Sequence, residues 1–225
     1  MNSSLSASIS TDAMRYLRAP ATDGSTRALV VEMAELLEQR ITPRYVFRVV
    51  PLAHRESGFD LTGTGVILPG SLARTMLQEC DAAALLACTL GAGFEQLLRS
   101  WQVRDMARAA VLDACGSAYV EAGCNAAEEE IRARCAGKYL TDRFSPGYGD
   151  LPLTLQGSIL EALNAGRQLG LQATESCLLN PSKSVTAVIG LSSQPQPARI
   201  RGCAACQFWN TDRCSRGQQD CFCAT

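Results

Sequence analysis

Histidine is almost missing from this chain: His54 is the single one among 225 residues. A Ser/His/Asp triad or a multi-histidine metal site is thereby nearly excluded. His54 itself stands in a charged loop and reads as a surface residue. An excess of charge is missing too, since 21 Lys and Arg face 22 Asp and Glu, for a net charge of −1. No electrostatic footprint for nucleic acid follows from that balance. No apolar run approaches the roughly 18 residues that span a bilayer. The opening MNSSLSASIS has neither the basic n-region nor the apolar h-region of a secretory signal. These absences imply a cytoplasmic protein with no membrane and no nucleic-acid partner. No internal repeat is present. The 47% hydrophobic and 19% charged residues are those of an ordinary soluble globular protein, long enough for one sizeable domain or two small ones.

Cysteine, in contrast, is abundant, at 11 residues. Cys80, Cys88, Cys115, Cys124, Cys135 and Cys177 lie scattered in apolar segments, where free thiols behave as small hydrophobes. Cys203, Cys206, Cys214, Cys221 and Cys223 crowd the end. In a reducing compartment such a cluster points to metal or redox chemistry. The Cys-x-x-Cys pair can place two thiolates on one ion, and the five together can complete a four-cysteine site for zinc or an iron–sulfur cluster. The spacing beyond the first pair matches no standard finger or ferredoxin, so the metal stays open. A tail with incidental thiols is the alternative.

Along the chain, residues 1–22 are expected to be poorly ordered, with a short helix opening at Asp12. Asp23-Gly24-Ser25-Thr26 gives a turn and a cap candidate before an amphipathic helix over 26–40, which Pro43 ends. Residues 45–52 are β-branched and aromatic and read as a strand. Residues 62–68 give a short strand, with Ser71 capping a helix over 71–79. Residues 83–90 are apolar on both faces, as in a buried strand. Phe94, Leu97, Leu98 and Trp101 mark the next helix. Residues 103–136 form the longest helical stretch, with a break expected near Gly116 and a small-residue face at Ala109, Ala110, Ala114 and Ala118. Glu128 with Arg132, and Glu130 with Arg134, are expected as solvated i,i+4 pairs. Asp113 and Glu121 lie in the apolar part and need an Arg, backbone N–H groups or a cation as partners. Thr154 is expected to cap a helix running to Leu169, with Gly170 closing it. Two strands over 172–179 and 184–191 are expected to form a hairpin, and 193–225 are a proline linker and cysteine tail. The fold class is α+β, a single domain with a twisted, mainly antiparallel sheet and packed helices.

The stretch with the most chemistry is Arg143-Phe144-Ser145-Pro146-Gly147-Tyr148-Gly149-Asp150. Pro146 sets φ near −65° and Gly147 can take φ > 0, which makes a sharp turn. Arg143 offers a planar fork for a carboxylate, and Tyr148 a flat ring with a hydroxyl. These groups suit a small zwitterion that carries an aromatic base. They also suit a plain surface turn.

Arg143 to Tyr148 resembles the Arg-x-x-Pro-Gly-Tyr signature of the activation domain of cobalamin-dependent methionine synthase. Thr174-Glu175-Ser176 followed by Pro181, and 183–190, are similar to strand blocks of that family. Thr89-Leu90-Gly91, Asp105-Met106 and 113–118 with Glu121 look like its stand-alone subgroup. The resemblance covers roughly residues 26–192. It implies an S-adenosylmethionine-binding unit, over 23–192, that acts as a component of a methyltransferase in methionine biosynthesis. Such a unit supports reductive reactivation of cobalamin carried by a separate methionine synthase core, with an electron donor that the sequence does not name. In the family, an inactive Co(II) state is rescued by an uphill one-electron reduction that methylation then pulls forward, and the domain contributes positioning. The resemblance assigns Arg143 to the ligand carboxylate, backbone near Ser145 and Gly147 to the adenosine or amino end, Pro146 to the turn, Tyr148 to the pocket wall and Glu121 to the amino or sulfonium side. Ser117 is the alternative to Glu121. Large family members carry a carboxylate shortly before the signature, where this chain has Gly137 and Lys138, with Asp142 next to Arg143. They also continue into further sheet with an aromatic near the ligand, where this chain has its cysteines. No corrin-binding signature occurs here, so the corrinoid would come from the partner. The alternatives are an iron–sulfur electron-transfer protein for a corrinoid methyltransferase and a non-catalytic docking adaptor.

Overall fold

In the computed structural model, which describes residues 3–19, 23–197 and 199, the eight apolar residues of Ala82–Thr89 run through the middle of the molecule as strand β4. All but Ala82 are buried, and neighbouring side chains point to opposite faces. Ala84, Leu86 and Cys88 join one buried cluster, while Ala83, Leu85 and Ala87 join another. A sheet covered on both sides explains why the run lacks a polar alternation.

Strand β1 (Arg44–Arg55), β2 (Gly58–Leu61), β3 (Val66–Leu68), β5 (Tyr139–Leu140) and β8 (Ser184–Ser192) complete a six-stranded sheet of order β3-β2-β1-β4-β8-β5, antiparallel at every pairing. A two-stranded ribbon, β6 (Gln172–Ala173) with β7 (Leu179–Asn180), stands apart. One face carries helices α1 (Ser3–Tyr16), α2 (Gly24–Arg40), α4 (Gly91–Arg104) and α5 (Met106–Arg134). The other carries α3 (Gly70–Leu77), α6 (Leu155–Ala162) and α7 (Ala165–Leu169). The fold is α+β, as the sequence implies. No helix among the described residues is long and apolar enough to cross a membrane.

Helix α2 starts where the turn predicts it. Asp23 accepts from the backbone N–H of Ser25 (3.1 Å) and Thr26 (3.0 Å), which satisfies two of the orphan donors at a helix start. Helix α5 is continuous over 29 residues and has no break at Gly116. Glycine is there for space: a Cβ would lie 2.6 Å from Cε2 of Phe94. Gly123 is similar, with Pro43 Cβ at 2.7 Å and Cys88 Sγ at 2.8 Å. The small-residue stripe therefore lets α5 sit close on the sheet and on α4.

Several local expectations are corrected. Residues 3–16 are helical, with Ile9, Ala13 and Met14 buried; a serine-rich composition hid their helical spacing. Residues 62–68 hold a turn followed by β3, and β2 precedes them. The 154–169 segment is two helices, because Asn164 adopts a left-handed φ of 51° between them, and Thr154 makes no capping bond. Gly170 does close the second helix, at φ 68°. The 172–180 run folds back on itself as the β6–β7 ribbon, with Cys177 at φ 61° in the bend. Strand β8 pairs with β4 and β5, so the 172–179 and 184–191 hairpin does not form.

Alanine at two glycines should act in opposite directions. Gly116→Ala drives a methyl into the Phe94 ring and should cost about 1–3 kcal/mol. Gly157→Ala, in the exposed face of α6 with nothing within 4 Å, should stabilise by about 0.5–1 kcal/mol. Urea denaturation of both variants checks the pair, and a neutral Gly116→Ala would show that α5 and Phe94 are not packed tightly.

Candidate functional site

After β5 the chain continues along the sheet edge. Thr141 donates its N–H to Gly190 O (2.9 Å), and Phe144 exchanges two backbone bonds with Val188, at 3.0 and 2.8 Å. Arg143 and Phe144, as neighbours in an extended segment, face opposite layers. Phe144 is fully buried in the α3–α6 layer. Arg143 turns toward α5 and is also buried, at 8% exposure.

The Arg143 guanidinium meets one stripe of α5. Its Nη1 donates to Glu128 Oε1, and its Nη2 donates to Glu121 Oε2 (2.6 Å) and Asn125 Oδ1 (3.1 Å). Residues 121, 125 and 128 follow one another up a single helical face. Burial works against the charged form of Arg143, but Cys124, Glu128 and Glu121 outweigh it and leave its pKa raised. The fork that was assigned to a ligand carboxylate is thus occupied by two protein carboxylates and an amide. Glu128 was expected to pair with Arg132 on a solvated face. It is instead drawn inward to Arg143, and Arg132 takes Glu129 (2.6 Å). Glu130 pairs with Arg134 as expected. The partner that Asp113 needs is Lys183, at 2.9 Å, which also donates to Ser117 Oγ at 2.8 Å. Ser117 therefore sits in that second ion pair, while Glu121 faces Arg143.

Beyond Arg143 the turn forms as predicted. Tyr148 N–H donates to Ser145 O (3.1 Å), Pro146 is buried and Gly147 takes φ 91°. The segment ends on Asp150, whose carboxylate accepts from the backbone N–H of Ser71 (2.5 Å) and Leu72 (2.9 Å) at the start of α3. Ser71 was expected to cap that helix with its own side chain; Asp150 does so from 79 residues away. These backbone donors hold the Asp150 pKa at about 2, below its ordinary 3.8.

A cleft of ≈ 540 Å³ opens between the turn and α5. Glu121, Arg143, Ser145, Pro146 and Tyr148 line it, so the structure gathers all the sequence-predicted ligand residues except Gly147 around one space. Gly147 shapes the turn from outside the lining. Gln156 and Thr186 supply further polar lining; Thr186 Oγ1 donates to Gln156 Oε1 (3.0 Å), and Gln156 Nε2 donates to Cys177 O (3.0 Å). Tyr16 reaches the cleft from α1. The serine-rich composition of residues 1–22 gives no sign of it in the sequence. Partial burial, then the Glu121 charge, raises the Tyr16 pKa. A second cleft, ≈ 520 Å³, lies at the β1–β2 turn and the start of α3, where exposed His54 stands edge-on to Phe59 at 4.9 Å. It holds none of the predicted ligand residues. Cys203, Cys206, Cys214, Cys221 and Cys223 lie outside the described residues, and among the described residues no cluster could hold a metal ion.

No protein-family model and no curated protein sequence matches the chain. Among solved structures it is similar to the crystal structure of the MetH reactivation domain bound to AdoHcy. The TM-score is 0.63 at 19% identity, over 84% of this chain and 72% of that one. The likeness establishes a shared fold.

The Asp150 cap has a pH signature. Its folded-state pKa lies below the unfolded one, so its stabilisation is complete above the ordinary value near 3.8 and is lost as pH falls toward about 2. Asp150→Ala should therefore unfold more readily than the parent at pH 6, and the gap should close as pH drops from 4 to 2. Thermal unfolding across that range checks it; a gap that stays constant would mean the carboxylate is not the cap.

Proposed function

We propose that this chain is an S-adenosylmethionine-binding activation subunit that supports reductive methylation of the cobalamin of a separate methionine synthase core. The observation that carries this reading is the Arg143–Glu121 ion pair in a cleft closed by the Pro146-Gly147 turn. The pair offers, side by side, the two charges that an α-amino acid end needs. Glu128 (side chain 13% exposed) and Asn125 can keep Arg143 in place while Glu121 (40% exposed) swings away. A ligand carboxylate then takes the vacated Nη2, and the ligand ammonium takes Glu121. One internal ion pair is exchanged for two, and no charge is left buried alone.

The rest of the donor set fits the same ligand. Tyr148 and Tyr16 give flat apolar surface for a base or a sulfonium, and Ser145, Thr186 and Gln156 give polar groups. The volume suits a small-molecule site. The fold shared with a reactivation domain that holds AdoHcy supports the same ligand class. Bound S-adenosylmethionine supplies the methyl group, and the partner supplies the corrin. The work of this chain is orientation: Arg143 and Glu121 fix one end of the ligand and the Ser145–Tyr148 turn fixes the wall beside it. The electron comes from a separate donor; the five tail cysteines would hold a metal, and as an iron–sulfur cluster they would relay that electron, whereas zinc would serve structure alone. Anaerobic purification with visible spectra and metal analysis tests the tail; a colourless sample free of iron and zinc contradicts that assignment.

Calorimetry with S-adenosylmethionine tests the site. The parent should bind, and Glu121→Gln should weaken binding by about ten-fold, because an ion pair with the ammonium becomes a neutral contact. Melting should barely change, since Glu128 still holds Arg143. Unaltered affinity in Glu121→Gln would overturn the assignment. Mixing the chain with a Co(II) methionine synthase core, a reductant and S-adenosylmethionine should give the methylcobalamin spectrum, which should be absent without the chain.

A further inference from the structure

One lining residue of the cleft lies outside the turn signature and has both ends of its side chain engaged. Gln156 is the second residue of α6 and is buried. Its Nε2 donates to Cys177 O at 3.0 Å, and its Oε1 accepts from Thr186 Oγ1 at 3.0 Å. Cys177 lies in the bend of the β6–β7 ribbon, and Thr186 lies buried on β8. The amide is thus clamped between the ribbon and the main sheet.

The clamp fixes which way round the amide stands. A backbone carbonyl only accepts, so nitrogen and not oxygen must face Cys177. The Thr186 hydroxyl then gives its proton to the oxygen. Turning the amide over would set two acceptors against each other at Cys177. That carbonyl is itself held in place: Cys177 N–H donates to Thr174 O (2.9 Å) and Thr174 N–H to Leu178 O (2.8 Å), with Cys177 at φ 61°. Each end of the amide has spent one of its two hydrogen-bonding positions on the protein. Nε2 keeps one N–H, and Oε1 keeps one lone pair. A donor and an acceptor side by side, in a fixed order, remain for a ligand in the cleft.

Gln156 and the Arg143–Glu121 pair come from opposite helical layers, α6 and α5. A ligand gripped at its amino-acid end by the ion pair therefore has its base to offer to the amide. Adenine presents a 6-amino donor beside a ring-nitrogen acceptor, the complement of Oε1 and Nε2–H, and this is the pairing by which glutamine recognises adenine. A 6-oxo purine presents an acceptor in place of the amino group. Only the reversed amide could meet it, and the Cys177 carbonyl opposes that reversal.

We infer that Gln156 reads the base of the ligand and selects a 6-amino purine over a 6-oxo purine, with the β6–β7 ribbon fixing the sense of its amide. This rests on the reading given under Proposed function. It gives the ribbon a role in specificity, through a residue that the turn signature does not include.

Calorimetry of the full chain with S-adenosylhomocysteine and with S-inosylhomocysteine, which carry the 6-amino and the 6-oxo base on the same framework, tests the inference. The parent should bind the adenine compound about ten-fold more tightly, since a site built to pair with a donor rejects the analogue that lacks it. Gln156→Met, of similar length but without the amide, should bring the ratio of the two affinities close to one. Equal affinities in the parent, or a ratio that persists in Gln156→Met, would overturn the inference and leave the binding reading standing. Failure of the parent to bind either compound overturns both. Should Gln156→Met not fold, a crystal of the parent with S-adenosylhomocysteine reads the same contact: the 6-amino nitrogen at hydrogen-bond distance from Gln156 Oε1 supports the inference, and a base seated away from Gln156 overturns it.

Discussion

A buried guanidinium held between two carboxylates of one helix is the constraint on which the site depends. The charge of Arg143 inside the protein is compensated by Glu128 and Glu121, and Glu128 turns inward to meet it. The desolvation of these groups makes the cluster a poor source of net stability. What it contributes is position: the strand end that carries Arg143 is fixed against α5 within the length of two ion pairs. Glu121 is the more exposed of the two carboxylates, at 40% against 13% for Glu128, so the cluster has an inner and an outer member. That asymmetry is what the proposed zwitterion site requires, with Glu128 left in place as the structural clasp.

The opposite end of the same segment is fixed by different physics. Asp150 caps α3, on the other side of the sheet from α5, through backbone donors. Between the two anchors, Phe144 is bonded to the edge of β8 and buried in the second core. The eight residues 143–150 thus tie both helical layers to the sheet edge, and the turn between the anchors is presented rigidly to the cleft. A site assembled this way depends on close layers, which explains the small side chains of α5 and the glycines that face Phe94 and Pro43. A bulkier α5 would ride further from the sheet and move Glu121 away from Arg143.

Much of this was legible in the residues, for identifiable reasons. Strand β4 and helices α2, α4 and α5 are long and carry a sustained apolar pattern, and a local turn such as Ser145 to Tyr148 is dictated by its own proline and glycine. The gathering of Glu121 with Arg143 and Tyr148 was reached through family resemblance; composition and spacing alone left the turn open. What stayed hidden depends on contacts remote in sequence. Nothing local marks Glu128 as the partner of a residue 15 positions on when Arg132 stands one turn away. Nothing local marks Asp150 as the cap of a helix that starts at Gly70. The ribbon at 172–180 is not visible in the sequence because its bend uses Cys177 in the left-handed region, a position that favours glycine or asparagine. Helix α1 is masked in the sequence because serine content outweighs the spacing of Ile9, Ala13 and Met14, and the place of Tyr16 in the cleft is masked with it.

The account makes the Arg143–Glu121 contact exchangeable, and a crystal of the protein soaked with S-adenosylmethionine looks at that contact directly. The expected density places the ligand carboxylate on Arg143 Nη2 and its ammonium on Glu121, with Glu128 still on Arg143 and the sulfur beside the tyrosine rings. A cleft that stays empty at saturating ligand, or ligand bound elsewhere with the Arg143–Glu121 pair intact, would contradict it.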